Sequence, residues 1–289
     1  LSTAGAVTVE VASLDDVDFE PLLEEDAITS VTLDGLEVRR FTCRLAEATF
    51  IGLKDQSLRY RLELRPAFWF TRFDMNTRKF RDMTTEAIVG KLLDERGVAH
   101  RFTNRRQSEP RPYCVQYRET NFAFVSRLLE YEGFYYYFEP DGTMVIGDTS
   151  SAEDDVPGVA MFELREGEGA LAHGSLGVTS FTRGSTVVTG KATVNDYNWK
   201  TPKLPLIQSA SADRDGDLEV YDYPTGYRDP GIGAILAGLR RDAFAAEKTW
   251  AKGTSTVPWM AAGKHFTFTH AEPARPALAA LGSAATLGE

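Results

Sequence analysis

A chain of 289 residues with 43% hydrophobic and 26% charged residues has ordinary globular composition and length for one large or two to three small domains, which excludes disorder as the default. No run of about 20 apolar residues is present, which excludes a membrane-spanning helix. The net charge is −10, and 10 of the 42 acids precede Arg39, the first basic residue; the remaining 32 acids balance 32 bases. This acidic start is a solvated face or a docking surface for a basic partner, and it argues against nucleic acid.

The chain opens with "LSTAGAVTVEV", which lacks a basic stretch and a long apolar core and is not a signal peptide; the missing Met suggests a fragment. Period-two alternation then predicts half-buried antiparallel strands. Val7, Val9 and Val11 share one face, as do Phe41, Cys43 and Leu45, and as do Tyr60, Leu62 and Leu64 before Pro66 ends the run. "TTEAIVGKLLDERG" predicts a helix with Thr84 as N-cap, Glu86 in the first turn, an Ile88/Val89/Leu92/Leu93 stripe and Gly97 as C′ residue. "TNFAFVSRLLEYEG" repeats the pattern, with Thr120 as cap, Phe122, Val125, Leu128 and Leu129 on one face and Gly133 as stop.

In "FYYYF" the alternation places Phe134, Tyr136 and Phe138 on one side and Tyr135 and Tyr137 on the other, before a "EPDGT" hairpin turn. Rings on both faces imply that both are covered, one by the preceding helix and the other by a neighbouring subunit. Short strands follow. A third helix starts at Asp229 and Pro230 and buries Ile232, Ile235, Leu236, Leu239 and Phe244. "GKHFTFTHAE" reads as a last strand with Phe266 and Phe268 inward; "PARPALAALGSAATLGE" has no useful period. The rhythm is β, then α with β, then β with one helix, which is not that of a doubly wound sheet.

Motifs for chemistry fail on spacing. "GSTVVTGKAT" puts five residues between Gly184 and Gly190 and places Ala192 where a phosphate loop needs a hydroxyl. Asp213, Asp215 and Asp217 match the start of a calcium loop, but Leu218 and Pro224 stand where Gly and Glu are required. His265 and His270 are an odd number apart, so one strand points them to opposite faces. Cys43 and Cys114 read as small buried hydrophobes and cannot form a four-cysteine zinc site. "HGSLG" is not a nucleophile elbow. Arg101, Arg105, Arg106 and Arg111 form a basic cluster that reads as a loop pairing with acidic faces, or as a surface for single-stranded nucleic acid. The reading is therefore of no catalytic, cofactor-binding or metal-binding residue; a hydrolase and a carbohydrate-binding module stand as alternatives.

"PYCVQYRETNFAFVSRLLEYEGFYYYFE" resembles the signature of the VgrG spike proteins of type VI secretion systems, whose first half is similar to the hub of contractile phage tails. "RYRLELRPAFWF", "ATVNDYNWKTPKLPL", "LEVYDYPTGYRDPGIGAILAGLRRDAFAAE" and "AAGKHFTFTHAE" extend the resemblance in order over roughly residues 30–272. The needle that follows in that family is missing, so the resemblance implies a hub-only piece, or a hub whose spike is a separate chain. It implies an α+β, mainly β fold with two similar β-barrels, residues 1–70 and 156–289, around an α/β part at 71–155, in a homotrimeric ring. It implies a structural, non-enzymatic adaptor between a six-fold inner tube (an Hcp-like hexamer) and a three-fold spike. Baseplate proteins and spike-tip or effector proteins would be its partners, with assembly in the bacterial cytoplasm before injection into a target cell. The structural and interface candidates are Phe122, Val125, Leu128, Phe134, Tyr136, Phe138, Tyr221 and Tyr223.

Overall fold

The computed structural model describes residues 2, 4–149, 161–164 and 176–270, with the backbone alone at 161–164 and 268–270. The expectations for Phe268, His173, the side chain of His270 and the segment after residue 270 lie outside the described residues.

Alternation builds the first sheet. Strands β1 (Val7–Ser13), β2 (Asp26–Leu33), β3 (Leu36–Lys54) and β4 (Ser57–Arg65) pair antiparallel in the order β1-β4-β3-β2. The register sets Val7 opposite Leu64, Val9 opposite Leu62 and Leu45 opposite Leu64. The apolar positions of three strands therefore meet on one face, where Cys43, Leu45 and Leu64 are buried and Val9, Phe19, Phe41 and Leu62 pack against them. Bulges after Leu45 and Phe50 bend β3. Among the described residues β1 and β2 are the edges and the sheet is open.

The next segment forms the main core. It comprises β5 (Met75–Phe80), α1 (Thr85–Asp94), β6 (His100–Phe102), β7 (Cys114–Thr120), α2 (Asn121–Glu132), β8 (Tyr135–Phe138) and β9 (Met144–Gly147). Both helix starts are set by capping: Thr84 Oγ1 accepts from Ala87 N–H at 3.2 Å, and Thr120 Oγ1 from Ala123 N–H at 3.1 Å. Gly133 ends α2 in the left-handed region, at φ 71°. Helix α1 is capped earlier, at Glu95, so Gly97, expected at C′, lies one position past the observed C′ and takes φ 61°. The stripes of α1 and α2 pack against β5-β7 and β6-β9-β8 around buried Phe68, Phe80, Ile88, Leu92, Phe124, Leu128, Met144 and Ile146.

The last segment has two sheets. Strands β10 (Met161–Leu164), β11 (Val178–Ser185), β15 (Thr249–Ser255) and β16 (Thr267–His270) run in the order β15-β11-β10-β16, with β10 parallel to both β11 and β16. This mixed pairing differs from the antiparallel first sheet. Strands β12 (Lys191–Val194), β13 (Gln208–Ser211) and β14 (Glu219–Asp222) run β13-β12-β14 and carry helix α3 (Pro230–Lys248). Asp229 caps α3, with Pro230 in its first turn.

The buried face of α3 departs from expectation. Gly233, Leu236 and Ala237 are buried, whereas Ile235 is 46% exposed. The Tyr227 ring lies so close under Gly233 that a Cβ there would meet it at 2.4 Å. That approach fixes the helix rotation and turns Ile235 about 200° away from Gly233. Phe266, read as inward, is 36% exposed and precedes β16. Among the described residues no helix is long and apolar enough to cross a membrane.

Candidate assembly interface

Helix α2 and β8 hold most of the residues singled out from the sequence, and the fold uses them internally. Val125, Leu128, Phe134 and Tyr136 are buried in the main core; Phe122 and Phe138 are half-buried against it. The expected face of α2 is off by one edge. Buried residues are Asn121, Phe124, Val125, Leu128, Leu129 and Glu132, so the arc takes in Phe124 at one margin and leaves Phe122 just outside the other. At about 100° per residue this arc leaves Phe122 at its rim, stacked on Phe68 at 4.8 Å, while Phe124 stacks on Phe80 at 5.7 Å. In β8 the alternation holds. Phe134 and Tyr136 face the core, and Tyr135 and Tyr137 stack on the opposite side at 6.4 Å. Tyr137 is covered by the chain itself: a Cβ on Gly263 would meet its ring at 2.8 Å.

The basic cluster is absorbed by structure. Glu132, its side chain 6% exposed, pairs with Arg106 at 3.0 Å and Arg111 at 2.9 Å and accepts from Thr85 Oγ1 at 3.0 Å. Arg106 also reaches the Glu132 carbonyl, and Arg101 pairs with Glu139 at 2.6 Å. The loop that carries these arginines is tied further by two carboxylates. Burial raises the Glu86 pKa, but hydrogen bonds from Ser108 outweigh it and the net shift is down. At Asp148 burial likewise raises the pKa, and the backbone N–H groups of Arg105 and Arg106 more than offset it.

The reactive side chains are placed for packing. Burial raises the thiol pKa of both Cys43 and Cys114, away from the reactive thiolate. Tyr227 is pushed up to about 12 by burial, and its hydroxyl donates to the carbonyls of Val194 and Leu206. Asp215 in the acidic loop pairs with Lys248 at 3.3 Å. Among the described residues no three His, Cys, Asp or Glu side chains gather as metal ligands would.

Several large apolar side chains stay exposed at strand edges and a hairpin end. Tyr221 and Tyr223 lie at and just after β14, an edge of its sheet among the described residues, each 55% exposed. The structure adds residues the sequence reading missed. Phe50, Ile51 and Leu53 stand out at the end of the β3–β4 hairpin, with Leu53 70% exposed. Strand β15 is exposed at every residue and forms the outer edge of its sheet, with Trp250 lying over Gly184. The apolar run "TFIGL" at the end of a 19-residue strand was the available signal for the hairpin. Free edges and exposed apolar ends are surfaces that proteins normally cover by a partner.

Comparison with known proteins gives the arrangement a context. Residues 1–279 match the phage tail baseplate hub (GPD) family. The type VI secretion system spike protein VgrG5 of Pseudomonas aeruginosa is 29% identical over 281 residues, covering 91% of this chain and 34% of that protein. VgrG4b of the same organism is 28% identical over 260 residues, 86% of this chain and 31% of that protein. The chain thus spans about a third of the length of these relatives. Among solved structures, the Escherichia coli c3393 protein, a component of the type VI secretion system described as similar to the T4 tail proteins gp27 and gp5, superposes with a TM-score of 0.64 at 18% identity. That match covers 96% of this chain and 63% of the other. The 43 kDa tail protein of prophage MuSo2 from Shewanella oneidensis gives 0.61 at 13% identity, covering 94% and 81%.

Proposed function

The chain belongs to the phage tail baseplate hub (GPD) family, and from that premise we propose that it is the trimeric hub at the base of a contractile injection spike. The observation that carries this reading is the family match over residues 1–279, nearly the whole chain. Three copies would form a ring in which each supplies two barrel-like parts, so that a six-fold inner tube meets a three-fold spike. The first sheet and the β15-β11-β10-β16 sheet are the parts this reading assigns to the ring, and the exposed β3–β4 hairpin and β15 edge are the surfaces it would cover. The α2–β8 core would keep each subunit rigid. The role is structural rather than catalytic, and effectors would be carried to target cells by the assembled spike, as part of a machine built in the bacterial cytoplasm. A second reading shares the same premise: the hub of a phage tail or extracellular injection particle whose spike is a separate chain. It is favoured by the likeness to the prophage tail protein.

The test is solution mass together with tube binding. The hub reading expects a species near three times 32.0 kDa that binds preassembled inner-tube hexamers. A monomer at all concentrations that ignores the tube overturns it.

A further inference from the structure

A groove of about 800 Å³ runs between the first sheet, β8 and the segment 259–264, walled in part by Phe41, Tyr135 and Trp259. Arg39 sits in its wall. Its Nη1 donates to the carbonyls of Pro258, at 3.0 Å, and Met260, and its guanidinium lies 4.3 Å from the Phe41 ring centre. Its two remaining donor nitrogens have no acceptor, and no carboxylate pairs with it, among the described residues. Burial lowers its pKa, the direction expected of a cation with no opposing charge.

Arg59 and Arg240, also partly buried, likewise meet no carboxylate among the described residues, but of the three only Arg39 lines this groove. The partly buried Arg78, Arg106 and Arg111 each meet a carboxylate. On the groove's rim Arg40 and Glu139 are each neutralised, by Glu37 and Arg101. Arg39 is therefore a half-buried charge awaiting an anion, in a chain whose net charge is −10.

The groove is also bordered by a strand that has no second strand beside it among the described residues. β8 is the edge of the β6-β9-β8 sheet, and its outward Tyr136 N–H donates to the Ser2 hydroxyl at 2.7 Å rather than to a neighbouring strand. Such an edge binds an extended chain through its backbone, with adjoining pockets selecting side chains. We propose that the groove takes an extended acidic peptide segment of a partner protein, which pairs with the β8 edge in place of Ser2 and sets a carboxylate against Arg39. This goes beyond the hub reading and requires only the single chain.

The probe is a short labelled peptide alternating valine with glutamate, compared by fluorescence anisotropy with its valine–glutamine twin on the full 289-residue chain. The acidic peptide is expected to bind with a Kd of roughly 10–100 μM, about tenfold tighter than the twin, and to weaken as salt is raised. Arg39→Gln should remove the preference. Because Arg39 also anchors the segment at Pro258 and Met260, Arg39→Lys serves as the second variant and should keep most of the preference. Equal binding of the two peptides, or no binding up to about 1 mM, overturns the proposal. So does a preference that survives Arg39→Gln. If the acidic peptide instead dissociates a self-associated form of the chain, the groove holds a second copy and the proposal fails.

Discussion

Replacing Phe124 by alanine removes a ring that is fully buried, stacked 5.7 Å from Phe80 and 5.1 Å from the Arg127 guanidinium. The neighbours around the vacated space belong to α1 and to the β5-β7 pair, both fixed by their own hydrogen bonds, so collapse is limited and the expected cost is about 3–5 kcal/mol. Phe122→Ala is the control on the same helix. That ring is only half-buried, so its transfer contribution is roughly 1 kcal/mol, with up to about 1 kcal/mol more from its stack on Phe68 at 4.8 Å. The two variants should therefore differ by about 1–4 kcal/mol, with Phe124→Ala the weaker protein. Urea unfolding followed by tryptophan fluorescence reads this as a larger midpoint shift at unchanged slope. Equal shifts, or a larger one for Phe122→Ala, would mean that α2 presents the face centred on Phe122 and that the packing described above is wrong.

Other outcomes follow from the same core. Leu128→Ala should cost about 2–5 kcal/mol as a cavity in rigid surroundings, and a loss under about 0.5 in the same titration would place Leu128 outside the core. Glu132→Ala leaves Arg106 and Arg111 facing each other without their shared carboxylate and should cost roughly 3–5 kcal/mol by the same measurement, far more than Glu119→Ala at the exposed Arg127 pair. Glu86 and Asp148 titrate below their ordinary values of 4.5 and 3.8, so their stabilisation is present above that range and is lost as pH falls through the lower folded values. Acid unfolding followed by circular dichroism should therefore begin below about pH 4.5, and the double variant Glu86→Gln with Asp148→Asn should flatten that limb.

Much of the local structure was legible because local chemistry decides it. Thr84, Thr120 and Asp229 cap helices through their own side chains, and Gly133 takes a positive φ; no distant partner is needed for either. The β1, β3 and β4 alternation was equally readable, since one apolar face in each strand has one way to point. The misreadings are tertiary. Phe122 and Phe124 lie on either margin of the same apolar arc, and only the position of Phe80 and the β5-β7 pair makes Phe124 the inner one. Ile235 fits a helical stripe as well as Ala237 does, until the Tyr227 ring under Gly233 sets the rotation.

The candidate interface was less legible for a deeper physical reason. A strand in the middle of a sheet and a strand at its edge obey the same period of two, because side-chain alternation reports the faces of a sheet and says nothing of its sides. "EVYD" in β14 and "TWAKGTS" in β15 therefore read like any strand, although each leaves one row of backbone donors and acceptors without a strand beside it among the described residues. Aromatic density misleads in the same direction. It draws the eye to "FYYYF", whose rings the chain largely buries against its own helix and Gly263, and away from Phe50 and Leu53, whose exposure depends on the reach of one long hairpin. Exposed edges and apolar tips are costly to keep uncovered, since each is a template for unwanted pairing. Under the hub reading that cost is offset on assembly, and the residues that specify the ring are those whose sequence pattern is least distinctive.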